Sequence, residues 1–164
     1  SSVTGVQTCA LPIYKQKGVS MKKSLVAVSL FAATGVATAA DISVLAGHDN
    51  AAHRDLDAVV VGKEVAGLAV TGEVSYSHNL YTTFGATVGK NVSLGGVVFT
   101  PFTGVTKVDR WNNTDGWVGA VGLSATYPVT KSVGAVVTGT HNMDIQEHSN
   151  LRGNVVTAGL KYTF

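Results

Sequence analysis

Leu68-Ala69-Val70-Thr71-Gly72-Glu73-Val74-Ser75-Tyr76-Ser77 is the stretch that decides the fold. Leu68, Val70, Val74 and Tyr76 share one parity; Thr71, Glu73, Ser75 and Ser77 share the other. A period of two is the signature of a strand, because successive side chains leave a strand on opposite faces. The bulky parity is apolar and the other is small and polar.

The same alternation continues along the chain. Thr82, Phe84, Ala86 and Val88 alternate with Thr83, Gly85, Thr87 and Gly89. Trp117, Val121, Leu123 and Tyr127 alternate with Val118, Gly122, Ser124 and Thr126, and Val156, Leu160, Tyr162 and Phe164 with Val155, Thr157, Lys161 and Thr163. From Asp41 onward no window carries a helical stripe. Charged residues make up only 13% of the chain, too few to coat the outside of a soluble sandwich. An inverted barrel suits the pattern better, with its apolar face toward lipid and its small polar face inward.

Turn residues divide the chain into eight strand candidates, 41–48, 57–65, 67–77, 79–89, 92–105, 116–127, 131–142 and 153–164. The connections at 64–67, 89–91 and 128–131 read as tight turns, and those at 48–56, 106–115 and 142–152 as long polar loops. Short turns at one end and long loops at the other mark a transmembrane barrel, and an even strand count places both ends of the barrel sequence on the short-turn side. The expected fold class is therefore all-β, an eight-stranded antiparallel up-and-down transmembrane β-barrel. Gly95-Gly96 and Pro101 blur the register of 92–105. Tyr127, Tyr162 and Phe164 fall at the short-turn ends of their strands, and Tyr76 and Trp117 near the opposite ends, as two aromatic girdles would require.

The segment upstream of Asp41 has a different character. Met21 opens a signal-peptide pattern over 21–40: Lys22 and Lys23, an apolar run from Leu25 to Val36, then Ala37-Thr38-Ala39-Ala40 as a cleavage site. Residues 3–13, VTGVQTCALPI, resemble a translated sequencing adapter, so 1–20 is expected to be an artefactual extension. Cys9, the one cysteine, lies inside it. The net charge of +2 also arises upstream: from Asp41 on, eight Lys and Arg stand against ten Asp and Glu, a net of −2. Low charge, 19 glycines and positive mean hydropathy argue against a disordered tail and against nucleic acid as a partner.

The chain ends Thr157-Ala158-Gly159-Leu160-Lys161-Tyr162-Thr163-Phe164. Thr157, Gly159, Tyr162 and Phe164 resemble the C-terminal recognition signal of Gram-negative outer-membrane barrels, in which an unpaired terminal strand docks on the assembly machinery by strand addition. Over 41–164 the chain resembles the small eight-stranded outer-membrane β-barrel superfamily, the group of porin-family and OmpA-like barrel domains. The resemblance implies export through the Sec route, residence in the outer membrane, and the lipid bilayer and lipopolysaccharide as surroundings. No cofactor is implied.

For function, eight strands enclose an interior that side chains nearly fill, so an open diffusion pore is not expected. Glu73 and Lys161 both face inward by parity and are expected to find ionic or hydrogen-bonded partners there, with Lys63 as a further candidate. A lipid A-modifying barrel enzyme is the catalytic alternative, but His141-Asn142-Met143, Ser77-His78 and His148-Ser149 lack the spacing of a His followed two residues later by Ser. His48, His53, His141 and His148, with Asp49, Asp55, Asp144 and Glu147 nearby, could gather at the loop rim, yet no HxH or HxxxH spacing points to a metal. Lys107-Val108-Asp109-Arg110-Trp111-Asn112-Asn113 mixes charge, amides and tryptophan, so Arg110, Trp111 and Asn112 are the candidate contacts to a host or phage surface ligand. The expectation is a monomeric barrel with a structural or adhesion-like surface role and no catalysis; a narrow channel is a further alternative.

Overall fold

The computed structural model describes residues 41–50, 53–77, 81–110, 116–145 and 153–164. The predicted signal peptide and the upstream extension lie outside the described residues. The strands are β1 (Asp41–Asp49), β2 (Arg54–Val65), β3 (Leu68–Ser77), β4 (Tyr81–Gly89), β5 (Val92–Leu94), β6 (Val97–Arg110), β7 (Gly116–Pro128), β8 (Val133–Asp144) and β9 (Gly153–Thr163). All neighbours are antiparallel, β9 returns to β1, and β4 pairs with both β3 and β6, so the sheet closes. Val, Thr and aromatic residues fill these strands because branched and ring side chains pack well on a pleated surface.

Nine strand segments make eight staves. Gly89 pairs with Phe102 and Val92 with Phe99 in one unbroken register, so β4 and β5 are a single ribbon against β6. Its interruption at Lys90-Asn91 lies opposite Pro101, which has no N–H to give the ladder; only its carbonyl is used, by the Lys90 N–H at 3.2 Å. This corrects the expected tight turn at 89–91 and the expected strand 92–105. The turn is Gly95-Gly96, with φ of +60° and +82°, the left-handed pair a two-residue hairpin needs. The loop-end strands also run further than expected: β1 and β2 stay paired up to Asp49 opposite Arg54, and β6 continues to Arg110.

The register sets the barrel's dimensions. Following paired residues from Thr163 through Asp41, Gly62, Thr71, Thr87, Gly104, Ala120 and Asn142 leads back to β9 at Gly153, ten residues from the start. Eight staves with a stagger of ten residues imply a strand tilt of about 40° and a radius of about 8 Å.

Sidedness follows the parity. Val44 (63% exposed), Leu123 (47%), Val137 (53%) and Leu160 (60%) stand on the outside, with Leu68 and Val70 also exposed. Ser43, Ser75, Thr83 and Thr157 are buried inside. The interior also holds bulkier apolar side chains beside the small and mostly polar ones expected. Leu45, Leu56, Ala58 and Val136 pack together within it, joined by Val60 and Val155.

Candidate functional site

Among the described residues, polar groups converge in the barrel interior. Call the end carrying hairpins 66–67, 95–96 and 129–132 the turn end, and the opposite end the loop end. At the loop end the interior is packed by Tyr81, Val108 and Val118. The Tyr81 hydroxyl donates to Asp49 Oδ2 across the lumen, and Ser77 Oγ donates to the Asp55 carbonyl at 3.1 Å. Below this plug a cavity of about 320 Å³ extends to the turn end.

Hydroxyl pairs line its wall. Thr71 and Thr87 Oγ1 are 2.6 Å apart, and Thr138 Oγ1 donates to Ser124 Oγ at 3.1 Å. Each pair spans two adjacent staves, as cross-strand neighbours must. Phe102 also faces inward, its ring lying over Gly122 on the next stave. A Cβ on Gly122 would come within 2.3 Å of that ring, so the glycine is what admits it.

Both predicted interior charges line the cavity, but they are held differently. Lys161 Nζ lies 2.6 Å from Asp41 Oδ2, and Thr163 Oγ1 donates to Asp41 Oδ1 at 2.7 Å. This cluster sits on the β1–β9 seam. Glu73 lies between Val60 on β2 and Gly85 on β4, neither of which offers a side-chain donor. Its carboxylate has no hydrogen-bond or ion-pair partner among the described residues, contrary to the expectation of a lumenal partner. Geometry explains the difference. Glu73, Val60, Ser43 and Lys161 lie along one hydrogen-bonded row. The two charges are therefore three staves apart, with β2 and β1 between them, a chord of about 15 Å, beyond the reach of two side chains. Asp41 is the diagonal neighbour of Lys161 on the adjacent stave, within range of a lysine. Reading strands singly missed Asp41; its role appears only once β9 is registered against β1.

The C-terminal positions are divided between the two faces. Thr157 is buried in the interior. A Cβ on Gly159 would stand 1.9 Å from the Val44 carbonyl oxygen, so β9 can approach β1 this closely only with glycine there. Tyr162 and Phe164 are exposed on the outside, edge to face with ring centroids 4.8 Å apart. Trp117 is exposed on the outside of β7, ten residues from Tyr127. That spacing spans about 25 Å along the barrel axis, the height of a lipid-facing apolar band. Lys107 pairs with Trp117 on one side and Phe84 on the other, which sets a cation at the level of the loop-end girdle.

Of the candidate loop contacts, Arg110 ends β6, its backbone opposite Tyr81, while Trp111 and Asn112 lie outside the described residues. His48 Nδ1 meets Asp55 Oδ1 at 2.9 Å, and His141 Nδ1 meets Asn154 Oδ1 at 2.7 Å. His53 sits in a turn with φ of +51°. Among the described residues no three His, Cys, Asp or Glu side chains are gathered to hold a metal ion. His148 and Glu147 lie outside them.

No family model matches the sequence, and no curated protein matches it. Solved structures do share the fold. The N-terminal β-barrel domain of Pseudomonas aeruginosa OprF superposes with a TM-score of 0.62 at 11% identity, covering 77% of this chain and 97% of that one. A de novo designed transmembrane β-barrel gives 0.57 at 13% identity, covering 77% and 95%. Neisserial surface protein A gives 0.50 at 13% identity, again covering 77% and 95%. At these identities the likeness is one of fold: a closed eight-stranded antiparallel barrel.

Proposed function

We propose that this chain is an integral outer-membrane barrel of a Gram-negative envelope, exported through the Sec route, with a structural or adhesion-like surface role and no catalysis. The observation that carries this reading is polarity turned inside out: Leu123, Val137 and Leu160 face outward while Ser75, Thr83 and Thr157 are buried. A closed sheet with an apolar exterior satisfies its backbone internally and can stand in hydrocarbon, where an open edge could not. The Trp117–Tyr127 spacing and the fold shared with OprF and Neisserial surface protein A support the same reading. The plug of Tyr81, Val108 and Val118 supports a closed lumen over an open pore.

Lipopolysaccharide is the proposed neighbour at the loop end. Lys107, level with Trp117, is suited to its phosphates. The barrel assembly machinery is the proposed partner of β9, through Thr157, Gly159, Tyr162 and Phe164. The chain acts as a monomer, and its loops, with Arg110, Trp111 and Asn112, offer the surface for a host or phage ligand.

The test is electrophoretic mobility of the outer-membrane fraction with and without boiling. A folded barrel migrates faster before heating. Recovery of the chain in the soluble periplasmic fraction would overturn the reading, as would a shift in lipid A mass on expression for the non-catalytic role and single-channel conductance above background for the closed lumen.

A further inference from the structure

We propose that the lumen holds a compact monocation at Glu73, admitted from the turn end. Five charged residues line the cavity: Asp41, Lys63, Glu64, Glu73 and Lys161. Three are acidic and two basic, so one negative charge is left over when all are ionised. The three carboxylates differ in their contacts. Asp41 is held by Lys161 and Thr163, and Glu64 Oε2 accepts from Asn91 Nδ2 at 3.2 Å. Glu73 alone among the three carboxylates has no partner among the described residues.

An ionised carboxylate facing a cavity without a counter-charge is unfavourable, and it is relieved either by taking up a proton or by holding a cation beside it. The space and the donor set around it favour the cation. At about 320 Å³ the cavity has room for a small cation with some of its hydration water. Thr71 and Thr87 lie on the same wall, one on the Glu73 stave and one on its neighbour. Their hydroxyls are bonded to each other at 2.6 Å, which leaves lone pairs to supplement the carboxylate. Oxygen ligands with a single negative charge suit an alkali ion or a primary ammonium better than a divalent or soft metal. Access is from the turn end, because Tyr81, Val108 and Val118 close the other.

The test uses the full chain refolded in zwitterionic vesicles. Methylammonium chloride and potassium chloride are titrated separately by calorimetry, with ionic strength held by N-methylglucamine chloride. Saturable binding of at least one cation is expected. Glu73→Gln should weaken it about tenfold or more, the loss expected when a charged acceptor is removed. Asp55→Asn, at the loop end, should leave it unchanged. Tighter binding of methylammonium assigns the site to amines, and tighter binding of potassium assigns it to alkali ions. Should Glu73→Gln fail to fold, the unfolding midpoint of the unsubstituted chain is the second readout: it should rise with the logarithm of cation concentration. No saturable binding to the unsubstituted chain, a midpoint indifferent to cation, or equal binding to Glu73→Gln would overturn the proposal. Heat-dependent mobility is read on the same samples, so failure of the barrel itself is distinguished from failure of the site.

Discussion

Leu123→Arg tests the sidedness of the barrel most directly. Leu123 is 47% exposed, between Pro101 on β6 and Gly139 on β8, so no bulky neighbour shelters it. On the same face of β7, Trp117 lies six residues toward the loop end and Tyr127 four toward the turn end. With each residue rising about 2.5 Å along the axis, those girdles stand about 15 and about 10 Å away, which places Leu123 near the bilayer midplane. An arginine on the lipid face at that depth costs about 2–4 kcal/mol, and near an interface only about 0–1 kcal/mol. The ratio of folded to unfolded chain should therefore fall by a factor of roughly 30 to 1,000. Val129→Arg, at an exposed position in the turn-end connection, is the depth control and should cost under about 1 kcal/mol. The assay is reversible guanidinium unfolding in lipid vesicles, followed by tryptophan emission. If Leu123→Arg costs about 0.5 kcal/mol or less, as on a water-facing surface, or no more than Val129→Arg, the outward face is not in hydrocarbon and the reasoning is refuted.

Three further outcomes are expected. Asp41→Asn should destabilise the barrel by about 1–2 kcal/mol, because it removes the carboxylate that holds part-buried Lys161 and Thr163 on the seam; a double-mutant cycle with Lys161→Met should return a coupling energy, and additivity would disprove the clamp. Gly159→Ala should cost about 3 kcal/mol and slow assembly, since the new methyl meets the Val44 carbonyl. Gly139→Ala, with open space around its Cβ, should stay within about 0.5 kcal/mol, and equal effects in refolding yield would discount the close approach at the seam. Tyr81→Phe should cost about 1–3 kcal/mol by taking away the hydroxyl that Asp49 accepts from, read as a lower unfolding midpoint; an unchanged midpoint would show the loop-end plug to be held by packing alone.

Much of the barrel was legible from alternation. Leu68 and Val70 outside, Thr71, Glu73 and Ser75 inside, follow from parity, since a strand repeats every two residues whatever surrounds it. Turn chemistry was legible where glycine and position agreed, as at 64–67. It misled at Lys90-Asn91, because a polar pair after glycine resembles a turn locally. The interruption there comes from Pro101, eleven residues downstream and one stave away. The apolar cluster of Leu45, Leu56, Ala58 and Val136 was likewise hidden, because its members come from three separate staves.

The sequence by itself determined the strand content, the sidedness of most strands and the inversion of polarity, because each depends on the side-chain period and on overall charge density. Only the tertiary structure decided which charges meet. Closure with a stagger of ten residues brings Asp41 beside Lys161 and holds Glu73 three staves away. Register between strands distant in sequence is a property of the closed sheet and leaves no trace in any one strand.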